Sequence, residues 1–375
     1  MTGGKPIPAD DFPGRVIVIG TGLIGTSIAL ALRERGAQVW LEDSDPAAAR
    51  LAADLGAGEL LSAAAGPDVP AADVAVLAVP PGAVARVLSA AQGRGLARRY
   101  TDVASVKALP LAHAREAGCD LTTFVPGHPL AGRERSGPAA ARADLFLGRP
   151  WALCPARQTT ADAVACVLSL VRACGAEPIV LDAAEHDRWV ALVSHAPHVV
   201  AAVMAARLAG ARGGALALAG PGLRDVTRIA AGDPALWTQI LAANAAPVAD
   251  VLAAVASDLS EAARALAEAA RSDDDVSIKS VTSLLDRGAA GVAQIPGKRG
   301  GPAPAYTVVQ VVIGDRPGEL ARLFHAAGEA GVNIEDVRIE HSPGLPVGVA
   351  ELWVRPEAAG RLSRALAVGG WPVRR

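Results

Sequence analysis

Aromatic side chains make up only 3% of the 375 residues, so the 51% apolar content comes mainly from small side chains, Ala foremost. Such text favours helices. Cysteine is sparse too: Cys119, Cys154, Cys166 and Cys174 form no C-x-x-C pair. That spacing excludes a zinc ribbon or dithiol centre, and the four read as small buried hydrophobes in a reducing compartment. No metal site is expected. No run of about 18 apolar residues lacks a charge or a histidine; even the stretch from Ala196 meets His198 and then Arg207. A membrane span is therefore not expected. The opening MTGGKPIPADDFPG has no apolar signal core and carries two Asp, which argues against export and for a cytoplasmic protein. Nor is there an excess of one charge: 36 Lys+Arg against 38 Asp+Glu leave a net of -2. No nucleic-acid footprint follows, and the partners are expected to be small molecules.

What is present has a clear order. At about 100 to 200 residues per domain, the length predicts two or three domains. Residues 14–158 begin with RVIVIGTGLIGTSIALALRERGAQVWLEDSDP, which reads as strand, glycine turn, helix, strand. Apolar runs follow at Val74–Val79, Tyr100–Val103, Thr123–Val125 and Trp151–Leu153, spaced for crossover helices and a mostly parallel sheet. Apart from PIVL at 178–181, strand signals then fade, and residues 159–286 read as an all-helical domain. The Gly/Pro-rich RGAAGVAQIPGKRGGPAPA, 287–305, reads as a linker. Residues 306–375 give strand, turn, helix, two strands and a last helix at Ala358–Leu366. The fold class is thus α/β with a Rossmann-type N-terminal domain, an all-helical second domain and a small α+β third.

The glycine turn GTGLIG places Gly20, Gly22 and Gly25 at the G-x-G-x-x-G spacing between a strand and a helix. The first permits the tight turn. The second lets a pyrophosphate approach the helix N-terminus, at Leu23, Ile24 and Gly25, and the third lets helix and strand pack closely. Asp43 closes the second strand 18 residues after Gly25, near the distance at which an acid accepts hydrogen bonds from the adenosine ribose. No Arg or Lys stands in 42–46 to receive a 2′-phosphate, so NAD is expected over NADP. Glu42 and Asp45 are the alternatives to Asp43.

Further segments are more specific: TDVASVK at 101–107, PGHPLAGRERSG at 126–137, EHDRWVALVSHAPH at 185–198 and GPGLRDVTRIAAGDPALW at 220–237. In this order, over about residues 14–290, the chain resembles the prephenate/arogenate dehydrogenase family. The C-terminal DRPGEL (315–320) and GVNI (331–334) resemble an ACT domain, a ferredoxin-like fold that commonly binds amino acids as regulators.

The resemblance implies oxidative decarboxylation of prephenate to 4-hydroxyphenylpyruvate: hydride goes to NAD, the C4 hydroxyl loses a proton, and the ring carboxylate leaves as CO2. His128 matches the catalytic histidine, a group able to accept that proton. Ser105 matches a serine placed to bridge the substrate alcohol, although by itself it would be an N-cap with Lys107 exposed. Arg228 matches the position that binds the ring carboxylate, and Arg224, four residues earlier, shares its face on a helix. Asp187, Ser194, His195 and His198 fall at offsets 0, 7, 8 and 11, one stripe at about 100° per residue. Asp187 is expected to hold Arg228 by a salt bridge, and His198 to meet the substrate side chain. His195 is either a substrate ligand or a satisfied core residue, and Trp237 is a pocket wall. His113, His186, His325 and His341 have no evident partner.

Arogenate in place of prephenate is the nearest alternative, and a non-catalytic sensor of NAD and an amino acid the remoter one. A 3-hydroxyacid dehydrogenase would use a Lys in the helical domain, but residues 160–278 contain none. The Ala/Leu-rich surface between Ala201 and Leu266 implies a homodimer. In the last module, Asp315, Gly318 and Asn333 are expected to face one pocket for tyrosine or another aromatic effector.

Overall fold

The computed structural model describes residues 13–61, 71–131, 137–211, 213–271, 275–295, 306–341 and 346–374. It divides after Val255 into two compact units. In the first, β1 (Arg15–Ile19), α1 (Leu23–Glu34), β2 (Gln38–Glu42), α2 (Pro46–Asp54), β3 (Glu59–Leu60), β4 (Val74–Leu77), α3 (Val84–Gly93), β5 (Tyr100–Asp102), α4 (Ala108–Glu116) and β6 (Phe124–Val125) alternate as expected. The six strands lie in the order β3-β2-β1-β4-β5-β6, all parallel. The order reverses between β1 and β4, and the crevice beyond their carboxyl ends is where such sheets bind ligands. Strand β1 is covered on both faces, as a parallel strand must be. Val16 and Val18 pack with Ile28 and Leu32 on one side, while Ile17 and Ile19 pack with Leu88 and Phe124 on the other.

Two expectations are corrected here. Strand β8 (Pro150–Leu153) is not part of the parallel sheet: it runs antiparallel to β7 (Gly127–Pro129) and parallel to β9 (Glu177–Val180) in a separate three-stranded sheet. The alternation of strands and helices could not report that change of partner. Nor does the helical domain begin at 159. In α5 (Ala161–Ala173), Ala163, Val167, Leu170 and Val171 are buried in the same core as Val16 and Val18, so the first domain reaches β9.

Helices follow: α6 (Ala183–Val190), α7 (Ala196–Ala206), α8 (Gly213–Leu216), α9 (Pro221–Thr227), α10 (Pro234–Ala243) and α11 (Ala245–Ala269), which crosses into the second unit. Asp182 caps α6 by accepting from the N–H groups of Ala184 and Glu185, and Asp233 caps α10 through Ala235. Between α6 and α7, Ala191–His195 form a π-helical turn rather than continuing the α-helix.

In the second unit α12 (Asp275–Ala293) runs into the expected linker, through Gly288 and Gly291. Two glycines cost roughly 1 kcal/mol each in a helix, and here the ion pair from Arg287 to Asp258, 2.9 Å, ties this end of α12 to α11. The rest of the expected linker, residues 296–305, lies outside the described residues. The C-terminal module is β10 (Thr307–Gly314), α13 (Glu319–Glu329), β11 (Asp336–His341), β12 (Val347–Val354), α14 (Pro356–Val368) and β13 (Val373–Arg374). Its antiparallel sheet has the order β11-β12-β10-β13, the ferredoxin-like arrangement. Val309, Val311 and Ile313 alternate inward along β10. The expected juxtaposition of Asp315 with Asn333 fails on register. Gly314 pairs with Val347 at one end of the sheet and Asp336 with Trp353 at the other, so the two loops are separated by the length of β10.

Candidate active site

The loop after β1 is shaped by contacts only glycine can make. Gly20 has a φ of +102°, and a Cβ there would stand 2.2 Å from the carbonyl oxygen of Ala78, just past β4. At Gly25 a Cβ would stand 1.9 Å from the oxygen of Gly20, so α1 can approach the loop only without a side chain. Gly22 caps α1 with no side-chain hydrogen bond and no acid in the first turn. Nothing lies within 4 Å of where its Cβ would be. The N–H groups of Leu23, Ile24 and Gly25 precede the first intrahelical bond, which Thr26 N–H makes to Gly22, and are left for an anion. This loop fits the pyrophosphate of a dinucleotide.

Asp43 stands beside the loop, its carboxylate accepting from Thr21 N–H at 2.6 Å, Thr21 O–H at 2.9 Å and Asp45 N–H at 2.9 Å. Burial would raise its pKa, but these bonds, with one from Ser44, hold it below the usual carboxylate value. Asp43 thus presents a carboxylate, a hydrogen-bond acceptor, beside the loop. The two alternatives are otherwise engaged: Glu42 pairs with Arg94 at 2.8 Å, and Asp45 caps α2 through Ala47 N–H.

His128 lies on β7, in the first residues after the parallel sheet ends. Gly127 before it has no room for a side chain, since a Cβ would meet Asp102 oxygen at 2.9 Å and Trp151 Nε1 at 3.1 Å. A buried ion pair fixes this crossing. Lys107 Nζ donates to Asp102 and, at 2.5 Å, to the carbonyl of Gly127, while Asp102 accepts from Gly127 N–H at 3.1 Å. Lys107, expected to be exposed where Ser105 is only an N-cap, is completely buried.

The imidazole of His128 meets His186 with Nδ1 2.9 Å from Nε2, and His186 Nδ1 is 2.8 Å from Asp187 Oδ1. Asp187 accepts two more bonds, from Lys107 N–H at 2.8 Å and Ala108 N–H at 2.9 Å. It therefore caps α4 from another helix, a favourable place for a carboxylate. The expected salt bridge from Asp187 to Arg228 is not formed; the carboxylate is taken by α4 and His186. His186, to which the sequence assigned no role, is buried between His128 and Asp187. Burial first, and then the neighbouring His186, Lys107 and His195, hold His128 well below the ordinary histidine pKa. His128 is held neutral, with a ring nitrogen able to accept a proton.

The π-turn decides the rest of the stripe. A π-turn winds less per residue than an α-helix, so residues after it are rotated from the α-helical phase. His195 and His198 are buried, whereas Ser194 is exposed and leaves the site. His195 Nδ1 lies 3.0 Å from Asn244 Nδ2, which also donates to the carbonyl of Asp187 at 2.8 Å. Burial chiefly pushes His195 down to about 4, so it sits neutral as a satisfied structural group. His198 stacks on Trp237, ring centroids 3.5 Å apart and 12° from parallel, and Trp237 is half-buried. Arg228 donates its backbone N–H to the carbonyl of Arg224, so the two exposed arginines are one turn apart. The 3-10 turn that begins at Arg228 packs on α7.

Ser105, half-buried in the β5–α4 loop, does not cap α4: Lys107 holds that position, and the Ser105 hydroxyl has no partner among the described residues. Sequence reasoning missed Asp102, Lys107, His186 and Asn244. Only the adjacent His186-Asp187 pair carried a readable signal. Residues 132–136 of the PGHPLAGRERSG segment lie outside the described residues.

A six-stranded dinucleotide-binding sheet, an uncapped glycine turn and a neutral histidine beside the substrate-side helices define a nucleotide-dependent dehydrogenase. Comparison with known proteins narrows the class. Residues 28–180 match the family model "Prephenate dehydrogenase, nucleotide-binding domain" and residues 182–277 match "Prephenate dehydrogenase, dimerization domain". The chain is 44% identical over 361 residues to the probable prephenate dehydrogenase NovF of Streptomyces niveus, covering 95% of this chain and 98% of that one. Among solved structures, a putative prephenate dehydrogenase from Corynebacterium glutamicum is 27% identical with a TM-score of 0.64, over 75% of this chain and 90% of that one. Synechocystis arogenate dehydrogenase is 26% identical with a TM-score of 0.60, over 74% and 98%. The chain belongs to the prephenate dehydrogenase family.

Proposed function

We propose that the chain oxidises prephenate to 4-hydroxyphenylpyruvate with NAD. The observation that carries this reading is His128, neutral and fixed at the end of the dinucleotide-binding sheet. NAD, when bound, supplies the hydride acceptor. His128 accepts the C4 hydroxyl proton as the hydride leaves C4, the C–C electron pair of the departing carboxylate enters the ring, and the phenolate so formed takes the proton back from His128; aromatisation drives the reaction. Ser105 offers to the same alcohol a hydroxyl with no partner among the described residues. Trp237 and His198 form a flat wall for the ring or its side chain. The test is NADH formation from prephenate and from arogenate, each with NAD and NADP. Faster turnover of prephenate with NAD is expected; a preference for arogenate would reassign the substrate, and no NADH from either would defeat the reading.

Arg228 is the proposed carboxylate ligand, because a planar guanidinium pairs two donors with two oxygens. Replacing it with Ala is expected to raise the KM for prephenate strongly, by an amount worth roughly 2–5 kcal/mol if the bound pair is desolvated. A KM within a few fold of the parent would contradict this.

The working form is proposed to be a homodimer through the helices. Trp189, Leu192, Val193, Val203 and Met204 are exposed on one chain and lie in the segment that matches the family's dimerization domain. Light scattering at micromolar concentration is expected to give twice the mass of one chain.

The C-terminal module is proposed to sense tyrosine or a similar amino acid and to inhibit. The support is a groove of about 420 Å³ lined by Asn333, Glu335, Arg355 and Arg361. Its cations suit a carboxylate and its acid suits an ammonium. In the full chain, Arg361→Ala is expected to weaken inhibition by tyrosine roughly 10-fold, the loss of about 1.4 kcal/mol of binding. Equal inhibition of parent and variant would place tyrosine's effect elsewhere.

A further inference from the structure

The chain Asp187, His186, His128 carries one more step of chemistry than the proposed function uses. Asp187 accepts backbone N–H bonds on both oxygens, from Lys107 and Ala108, so it is an acceptor on every side. Its contact with His186 Nδ1 at 2.8 Å then requires the proton to be on that nitrogen. An imidazole with its one proton on Nδ1 carries a lone pair on Nε2. The 2.9 Å contact from His186 Nε2 to His128 Nδ1 is then donated by His128.

We propose that His186 is the positioning residue of the active site: it holds His128 in the Nδ1–H tautomer, leaving Nε2 as the lone pair that takes the substrate proton. The inference rests on the proposed role of His128 as base. When Nε2 of His128 accepts the hydroxyl proton, no proton has to move along the chain to His186 and Asp187, and the proton stays on Nε2 to be returned to the phenolate oxygen of the product. Nδ1–H stays on His128 and donates to His186, whose own Nδ1–H faces Asp187, so the new positive charge is met by an oriented dipole and, behind it, a carboxyl group. The two imidazoles cross edge to face, with planes at 78° and centroids 5.1 Å apart, which also fixes the direction of the His128 ring. In the other tautomer Nε2 would carry a proton and could not act as base, and two lone pairs would face each other across 2.9 Å.

Two measurements test this. In the parent protein labelled with 15N-histidine, two-bond proton–nitrogen spectra should show His128 protonated at Nδ1 and bare at Nε2; the reverse pattern would overturn the proposal without bearing on the substrate. In kinetics, His186→Leu should lower kcat by about 100-fold with the KM for prephenate within a few fold, since general-base catalysis contributes roughly 10²–10⁴. His186→Gln sets an amide oxygen near the position of Nε2 and should recover at least about 10-fold of that loss, the span of a single hydrogen bond of about 1.4 kcal/mol. A folded His186→Leu protein with parental kcat, or a Gln variant as impaired as Leu, would also overturn it. Failure of the parent itself to make NADH from prephenate or arogenate would instead defeat the functional reading.

Discussion

Replacing His128 with Asn is expected to lower kcat by about 100-fold or more while the KM for prephenate stays within a few fold of the parent. Asn keeps a polar side chain on β7 and can still hydrogen-bond toward His186, but it has no nitrogen able to take a proton. The loss should therefore fall on the chemical step and spare binding. An unchanged kcat would remove His128 from its role. The pH dependence follows from the same geometry. The proposed base must be neutral to act, and burial together with the neighbouring His186, Lys107 and His195 holds the pKa of His128 well below the ordinary 6.5. The acid limb of kcat/KM in the parent should accordingly lie below pH 6.5, with full activity retained above it. Stability has the same sign. For His128, and for His195 and His198, which burial also lowers, the unfolded chain binds protons that the folded chain refuses. Their contribution is intact above about pH 6.5 and is lost as the pH falls toward the folded values.

The parts of this site that could be read from the sequence are those governed by local rules. The glycine turn is one, because Gly20 and Gly25 are each required by a backbone contact within the same strand-turn-helix unit or with the next strand. Asp43 is another, since it closes a strand at a set distance from that turn. His128 was legible only through the motif around it. The misses are all non-local. Lys107 looked like a solvated helix-start residue because Lys is almost never fully buried unless paired, and its partners, Asp102 and the carbonyl of Gly127, become neighbours only when β5 and β7 are in place. Asp187 looked like a partner for an arginine, yet its bonds go to an α4 N-terminus about 80 positions earlier. Ser194 shows how a periodicity argument breaks: one π-turn in an otherwise helical stretch turned it out to solvent. The last module fails in the same way. DRPGEL and GVNI are each recognisable, but which end of the sheet each occupies is set by strand register.

Lys107→Met is expected to be among the most destabilising single substitutions in the chain, by about 3–5 kcal/mol, because it leaves the buried Asp102 carboxylate without its cation. Both side chains of the pair are fully inaccessible to solvent, so water cannot replace what is lost. In a domain of this size, roughly 2–4 °C of Tm per kcal/mol places the melting temperature about 6–20 °C below the parent. Met nearly matches the volume of the lysine stem, so the effect reads charge and hydrogen bonding rather than a cavity. The double variant Lys107→Met/Asp102→Asn separates the two contributions. It removes the orphaned charge while an amide oxygen can still accept from Gly127 N–H, so it should melt above the single variant and still below the parent, because the Gly127 carbonyl keeps no donor. The consequence for function is a displaced His128. Gly127 is gripped on both its N–H and its C=O by this pair, and the residue after it is the proposed base. Lys107→Met protein kept folded at low temperature should therefore also lose kcat. A thermal midpoint within about 2 °C of the parent, less than 1 kcal/mol by the same conversion, would show that the buried pair does not hold this crossing.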